Sequence, residues 1–222
     1  MKKVKKIEDV LELVNSGDTV MIGGFLTCGG PNKIITHLLE NKDLKDLTII
    51  ANDTGFDSTP GIGQLVVKKC CKKIVASHVG TNKETGRQMS ENETEVVLTP
   101  QGTLAEQIRA GGFGLGGVLT PTGVGIAEIE EGKDIVEVDG KKFLLEKPLK
   151  ADVAILNAYK VDTYGNMEFK GSTRNFNMLM AYAADTVIVE ADNLVEVGEI
   201  DPNHVNIPGL VVDVIIDGKE LA

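Results

Sequence analysis

The sequence predicts a three-layer α/β fold, in which helices cover both faces of a mostly parallel β-sheet. Three observations support this prediction. The strand candidates are continuous runs of Val, Ile and Leu, which is typical of strands that are covered on both faces. A strand, a glycine-rich loop and a helix follow one another near the start of the chain, as in the first half of a βαβ unit. No Ser/Pro linker, charge block or internal repeat interrupts the 222 residues, so we expect residues 1–222 to form a single domain.

The individual elements are predicted from hydrophobic spacing, taken in chain order. Residues 7–14 place apolar side chains on one helical face, and residues 18–22 form a short buried strand. The glycine-rich loop 23–31 leads into a second helix over residues 32–39. Further strands are expected at residues 47–51, 73–78, 95–99, 153–156, 186–190 and 210–216, with a helix over residues 104–109.

A small antiparallel insertion is expected near residues 134–146. Apolar and polar residues alternate on both sides of Asp139-Gly140. An Asp-Gly pair favours the tight turn of a two-residue β-hairpin. The segment is therefore predicted to be a hairpin.

Charge and cysteine content exclude several classes of protein. The chain has 23 basic and 33 acidic side chains, a net charge of −10, which repels nucleic acid and anionic lipid. We therefore expect no nucleic-acid partner and no membrane partner. Cys28, Cys70 and Cys71 match no disulfide framework or metal spacing, and Glu8 and Asp9 interrupt the basic N-terminus before any apolar run of signal-peptide length. These features predict a cytoplasmic protein.

Several familiar motifs are present without the context that their chemistry requires. Residues 112–117 satisfy G-x-G-x-x-G, but they follow a helical pattern, whereas the dinucleotide fingerprint follows a strand. His37, His78 and His204 are far apart and show no metal-ligand spacing, so we expect no metal. Cys28 has no evident base in the sequence that could activate it.

Three segments remain open to both a functional and a structural interpretation. The loop 23–31 either brings backbone N–H groups to an anionic or carbonyl ligand, or is a tight turn. Gln101 follows a strand and precedes a helix, where its amide can donate to an oxyanion; alternatively it is solvated beside a helix capped by Thr103. Residues 174–177, Arg-Asn-Phe-Asn, form either a helix entry or an anion contact.

Residues 16–31 resemble the first signature of the family I coenzyme A transferases, which ends in G-G-F-x-x-x-G-x-P; only Ser16 departs from it. The sequence is most similar to the α subunits of the acetate/butyrate–acetoacetate type. The similarity continues through residues 47–54, 99–112, 120–125 and 174–177 and covers nearly the whole chain.

The resemblance implies a CoA-transferase/NagB-like fold and a heteromeric enzyme that acts by a ping-pong mechanism. In this family a glutamate of a Ser-Glu-Asn-Gly motif on the β subunit carries the glutamyl-CoA thioester. Residues 90–93, Ser-Glu-Asn-Glu, resemble that motif, but Glu93 stands where the motif has glycine. We therefore reject Glu91 as the nucleophile and expect an exposed turn before the strand at residue 95.

The resemblance also implies a site on this chain for coenzyme A as a substrate. Gln101 would contribute to the oxyanion hole, with Asn52 and Asp53 close to it. The glycine loop would border the CoA or acyl group through Gly23, Gly24, Phe25, Leu26, Thr27, Cys28 and Gly29. An α2β2 assembly is implied. A stand-alone sugar-phosphate isomerase-like enzyme and a noncatalytic ligand-binding or assembly module remain as alternatives.

Overall fold

A seven-stranded sheet forms the centre of the protein. The structure is a computed structural model, and it describes residues 3–220. The strands of this sheet are β1 (Thr19–Ile22), β2 (Leu47–Asp53), β3 (Cys71–His78), β4 (Glu95–Leu98), β8 (Ala151–Ala158), β11 (Ala184–Ala191) and β13 (Val214–Asp217). Their order is β13-β11-β8-β1-β2-β3-β4, and every neighbouring pair is parallel.

Short helices connect these strands. The α-helices are α1 (Asn32–Asn41), α2 (Ile62–Val67), α3 (Lys83–Ser90), α4 (Gln101–Gly112), α5 (Ala127–Glu130) and α6 (Asn177–Met180). Turns of 3₁₀-helix occur at Ile7–Glu12, Gly171–Arg174, Pro202–His204 and Gly209–Val211. Within residues 3–220 we find no helix with the length and apolar character needed to cross a bilayer.

Two hydrophobic clusters, one on each face of the sheet, confirm the predicted three-layer fold. Successive residues of a strand point to opposite faces, so Ile22 packs with Ile34 and Ile35 of α1, while Met21 packs with the layer that contains α4 and α6. The second cluster also contains Leu104 of α4. This two-sided burial is the physical reason why the strands are continuous apolar runs rather than alternating ones.

The predicted hairpin is confirmed. It consists of β6 (Ile135–Val138) and β7 (Lys141–Glu146), joined by Asp139 and Gly140 with φ values of 52° and 72°. Positive φ at both turn residues is the conformation that Asp-Gly favours. The structure adds a strand that the sequence analysis missed, β5 (Val118–Thr120), which pairs with β7. A second small sheet contains β9 (Lys160–Asp162), β10 (Met167–Glu168) and β12 (Leu194–Val195).

Two predicted elements differ from the structure. The expected helix over residues 7–14 is a 3₁₀-helix over Ile7–Glu12, and the N–H of Leu13 donates to the carbonyl of Val10. The strand expected over residues 210–216 begins only at Val214. Its first part forms a 3₁₀ turn after Pro208, in which the side chain of Leu210 is 80% exposed, so this part of the apolar run does not enter the sheet.

Candidate functional site

Three parallel strands, β1, β2 and β4, bring the sequence-predicted residues to one edge of the sheet. The glycine loop follows β1, Asn52 and Asp53 are the last residues of β2, and Gln101 begins α4 after the end of β4. The carboxyl ends of parallel strands share one edge, which is where open α/β folds place their ligands. Residues 49 positions apart in the chain, Asn52 and Gln101, thereby come into direct contact.

An open cleft of about 700 Å³ lies at this edge. Its wall combines apolar side chains with amide, hydroxyl and guanidinium groups. The residues that line it are Phe25, Asn52, Gln101, Gly102, Ala105, Ser172, Arg174, Asn175, Phe176, Met178 and Leu179. Among the described residues, no aspartate or glutamate lines this cleft. It can therefore solvate a developing negative charge, but it provides no carboxylate of its own.

Gln101 is held by a residue of β2, which is separated from β4 by β3 in the sheet. Its side-chain Nε2 donates to Oδ1 of Asn52 at 2.9 Å, while Asn52 itself is buried. The carboxamide of Gln101 is otherwise exposed at the cleft. Because a primary amide has two N–H hydrogens, one remains available to a ligand after the bond to Asn52. Thr103 is buried inside α4 and does not cap it, since the N-cap residue is Pro100.

The glycine loop is bound to the sheet through Asp53. Phe25 and Cys28 exchange two backbone hydrogen bonds of 2.9 Å each, so the loop tip is a tight turn. Leu26 in this turn has φ of 53°, a left-handed conformation that is unfavourable for a residue with a side chain. Its N–H donates to Oδ2 of Asp53 at 2.9 Å, which stabilises that conformation. Asp53 thus holds the loop and does not line the cleft.

Of the loop residues implied by the resemblance, only Phe25 lines the cleft. Phe25 is 39% exposed and lines the cleft. Gly23, Gly24 and Leu26 instead line a small space beneath the loop, together with Asp53. Thr27 is exposed, and Cys28 and Gly29 are half-buried; none of the three is among the residues that line the cleft.

Two asparagines, which the sequence analysis did not single out individually, hold the loop from the opposite side. Oδ1 of Asn175 accepts from the N–H of Gly24 at 3.2 Å, and its Nδ2 donates to the carbonyl of Cys28 at 3.2 Å. Asn177 is fully buried, and its Nδ2 donates to the carbonyl of Gly29 at 2.9 Å. Their only signal in the sequence is the Arg-Asn-Phe-Asn segment, whose two asparagines form hydrogen bonds with the loop.

The N-terminus of the helix that follows the loop is occupied by a side chain of the same chain. The N–H groups of Lys33 and Ile34 at the start of α1 donate to Oε2 of Glu190 at 3.0 and 2.9 Å. The positive end of the helix dipole is thus occupied by a carboxylate of the chain itself. Burial raises the pKa of Glu190 to about 7, although these two hydrogen bonds oppose the shift.

Glu91 lies away from the cleft. It is the C-cap residue of α3, ahead of the start of β4, so it lies on the side of the sheet where β4 begins, whereas Gln101 follows the end of that strand. Arg87 forms ion pairs with Glu91, Glu84 and Glu93. The hydrogen bonds from Arg87 hold the pKa of Glu93 well below its usual range.

The remaining sequence candidates are dispersed. Gly112 is the last residue of α4, so the G-x-G-x-x-G segment follows a helix. His37 lies on α1 with its Nδ1 near the amide of Asn41, His78 is exposed at the end of β3, and His204 is exposed in a 3₁₀ turn. In the part of the chain that the structure describes, no group of three His, Cys, Asp or Glu side chains could hold a metal ion.

The chain is similar to known proteins over nearly its whole length. The family model described as "Coenzyme A transferase" matches residues 4–218. Acetate CoA-transferase subunit alpha of Escherichia coli (strain K12) is 52% identical over 218 residues, which are 98% of this chain and 98% of that protein. The acetoacetyl-CoA:acetate/butyrate CoA transferase alpha subunit of Clostridium acetobutylicum is 49% identical over 214 residues, 96% of this chain and 97% of that protein.

A solved structure shares the fold. It is an acyl-CoA transferase from Escherichia coli O157:H7 in a thioester complex with CoA, with a TM-score of 0.82 at 20% identity. The match covers 97% of this chain and 47% of that chain, so this chain spans about half the length of that structure. The family match over nearly all of the sequence, together with the two α-subunit relatives, shows that the chain belongs to the coenzyme A transferase family.

Proposed function

We propose that this chain is the α subunit of a heteromeric enzyme that moves CoA between a short-chain acyl-CoA and a short-chain carboxylic acid. The names of the two relatives with 52% and 49% sequence identity mention acetate in one case, and acetoacetyl-CoA with acetate or butyrate in the other. Their names as α subunits support a separate β chain as the partner. We expect an α2β2 assembly, and acetyl-, butyryl- and acetoacetyl-CoA are the candidate donors.

The chemistry needs a covalent carrier but no ATP, because one thioester is exchanged for another of similar energy. A glutamate of the partner subunit would attack the acyl-CoA carbonyl, giving a mixed anhydride and free CoA thiolate. The thiolate then attacks the glutamyl carbonyl and releases the acid, which leaves a glutamyl-CoA thioester. The acceptor acid reverses both steps and leaves with CoA. Each addition places negative charge on a carbonyl oxygen.

Gln101 is the group on this chain that is suited to that charge. We infer that its free N–H donates to the oxyanion, while the bond to Asn52 fixes the plane of the amide. The apolar side chains of Phe25 and Leu179 would exclude water and so strengthen this hydrogen bond. Arg174 adds positive charge to the same wall, which favours the anionic substrates.

One observation carries the proposal that the nucleophile comes from another chain. Within residues 3–220, the lining of the cleft contains hydrogen-bond donors and no carboxylate. The carboxylate of Asp53, which contacts the glycine loop, accepts hydrogen bonds from Leu26 and Gly55. The cleft therefore has the donors for the oxyanion and lacks the attacking group.

The three cysteines support a reducing compartment. Cys28, Cys70 and Cys71 are all free thiols, although Cys70 and Cys71 are adjacent and both buried. Burial raises the pKa of Cys71 to about 12, so this thiol is unreactive near neutral pH. We therefore expect the enzyme to work in the cytoplasm.

The test is acyl exchange by the chain alone, by its β subunit alone and by the two together. Each sample receives acetoacetyl-CoA and acetate, and the formation of acetyl-CoA is followed. We expect exchange only in the mixture, with parallel lines in double-reciprocal plots as ping-pong kinetics require. Exchange at full rate by the isolated chain would contradict the proposal. Turnover of a sugar phosphate by the chain alone would favour the isomerase alternative instead.

A further inference from the structure

Ser77 contacts the residue that holds Gln101. It is the penultimate residue of β3, next to Asn52 at the end of β2. Its Oγ lies 2.7 Å from the backbone oxygen of Asn52 and 3.0 Å from its side-chain Oδ1. A hydroxyl group has a single hydrogen, which here faces two oxygens of the same residue. The contact therefore restricts the side-chain torsions of Asn52 relative to its own backbone.

The same Oδ1 atom accepts the hydrogen bond from Gln101. Three side chains from β3, β2 and α4 thus form a chain of hydrogen bonds, from Ser77 Oγ to Asn52 Oδ1 at 3.0 Å and from Gln101 Nε2 to the same oxygen at 2.9 Å. Ser77 is not among the residues that line the cleft. Any influence that it has on a ligand must pass through Asn52.

We propose that Ser77 is a positioning residue for acyl transfer, which fixes Asn52 and thereby the amide of Gln101. This inference rests on the proposed function of Gln101. An oxyanion donor is effective only if it is held in place before charge develops, because reorganising it costs free energy during the reaction. Gln101 is exposed, and Asn52 Oδ1 is the acceptor that restrains its amide. Ser77 keeps that acceptor in place.

The first test is Ser77→Ala in the reconstituted enzyme. Loss of one hydrogen bond of ordinary strength should lower kcat about three- to tenfold. The KM for acetoacetyl-CoA should stay within about twofold, because the hydroxyl makes no contact with the ground-state substrate. Ser77→Thr keeps the hydroxyl on a residue that suits a strand, and it should restore most of the rate.

A matched control separates positioning from stability. Thr81 Oγ1 donates to the carbonyl of Gly55 at 2.7 Å, a part-buried hydroxyl-to-backbone bond near the same sheet edge. Thr81→Ala therefore removes a similar hydrogen bond without touching Asn52 or Gln101. We expect the two alanine variants to lower the unfolding temperature by similar amounts, and only Ser77→Ala to lower kcat. Equal losses of kcat in both variants would overturn the inference.

The decisive measurement is a double-mutant cycle with Gln101→Ala. If Ser77 acts through Gln101, Ser77→Ala should cost nothing further when Gln101 is already alanine. Multiplicative losses would overturn the inference but leave the proposed role of Gln101 intact. If Gln101→Ala alone had no effect, that result would instead remove the oxyanion role and the positioning role together. The two failures are therefore distinguishable.

Discussion

The single side chain on which the proposed chemistry depends most is the amide of Gln101. Replacing Gln101 with alanine removes the only side-chain amide donor that α4 contributes to the cleft wall within the described residues. Loss of one oxyanion donor typically costs about 10²- to 10³-fold in kcat, and we expect Gln101→Ala to fall in that range. The KM for acyl-CoA should change little, since the donor acts mainly on the transition state. Steady-state exchange in the reconstituted enzyme measures both quantities.

Glu106→Ala is the matched control for this substitution. Glu106 lies on the same helix, and its carboxylate forms an ion pair with Arg109 outside the residues that line the cleft. Its removal should leave kcat within about twofold of the unmodified enzyme. An unchanged rate for Gln101→Ala, measured beside this control, would remove Gln101 from the mechanism.

A second residue-scale prediction concerns Glu190 and the dependence of stability on pH. Burial raises its pKa to about 7 in the folded protein, from the ordinary glutamate value of 4.5 in an unfolded chain. The carboxyl group therefore loses its proton less readily when folded. Its contribution to stability is present below pH 4.5 and is lost as the pH rises towards and through about 7, an effect of about 3 kcal/mol. The nearby Asp192 raises the pKa further, whereas Lys33 lowers it.

Glu190→Gln tests this linkage, because the amide has nearly the same shape and does not titrate in this range. We expect the variant to lose less stability than the original chain between pH 5 and pH 8, measured by chemical denaturation. Asp185→Asn, an exposed position on the same strand β11, is the control. Parallel stability curves for the Glu190→Gln and unmodified proteins would contradict the prediction.

The position of Gln101 between a strand and a helix was predicted from the sequence and its proximity to Asn52 from the resemblance, whereas the contacts of Ser77 and Glu190 were not predicted. The position of Gln101 between a strand and a helix is a local pattern, and such patterns can be read directly from the residues. The partners of Glu190 lie 156 and 157 positions away, and Ser77 is 25 positions from Asn52. These contacts exist only once the sheet has formed, so nothing local in the sequence indicates them.

At the scale of one element, close packing around the glycine loop requires glycine at position 23. A Cβ atom on Gly23 would lie 1.7 Å from Oδ1 of Asn177. That oxygen accepts from the N–H of Asn157, and the Nδ2 of the same side chain donates to Gly29. Gly23→Ala must therefore displace a fully buried side chain and break its hydrogen bonds. We expect a loss of at least about 2 kcal/mol in the free energy of unfolding, measured by urea denaturation.

Gly86→Ala is the matched control for the loop. Gly86 lies in the exposed part of α3, and a Cβ there would have no neighbour within 4 Å. Alanine in a helix interior is more favourable than glycine by about 0.5–1 kcal/mol, so this variant should gain stability. Equal behaviour of the two glycine variants would show that the packing of Asn177 against the loop is not what requires glycine at position 23.

Elements with strong local chemistry were predictable, and those decided by their surroundings were not. Asp139-Gly140 specifies its turn by itself, so the hairpin was predicted at nearly its true bounds. β5 has only three residues and exists because it pairs with β7, so its sequence carries little signal. Residues 210–212 are as apolar as a strand, yet Leu210 is exposed in a 3₁₀ turn.

For the whole molecule, burial on both faces made the three-layer architecture predictable, whereas the strand order was not. β1 lies between β2 and β8, although β8 follows it by more than a hundred residues in the chain. Such an order is settled by the packing of helices against the completed sheet. It has a direct functional consequence, because it decides which polar residues share the edge where the cleft lies.

The last prediction concerns Glu91, the residue whose sequence motif most resembles that of a catalytic glutamate. It follows from the fact that parallel strands place their two ends at opposite edges of the sheet. Glu91 lies ahead of the start of β4, whereas the cleft lies beyond the end of that strand, and its carboxylate is paired with Arg87. Its side chain is 55% exposed, so losing the ion pair should cost little stability. We expect Glu91→Gln to exchange acyl groups within about twofold of the unmodified enzyme. In mass spectra recorded after incubation with acyl-CoA, the covalent CoA adduct should appear on a peptide of the β subunit in both forms. An adduct on the peptide that contains Glu91, lost in the glutamine variant, would place the nucleophile on this chain and contradict the assignment of the covalent step to its partner.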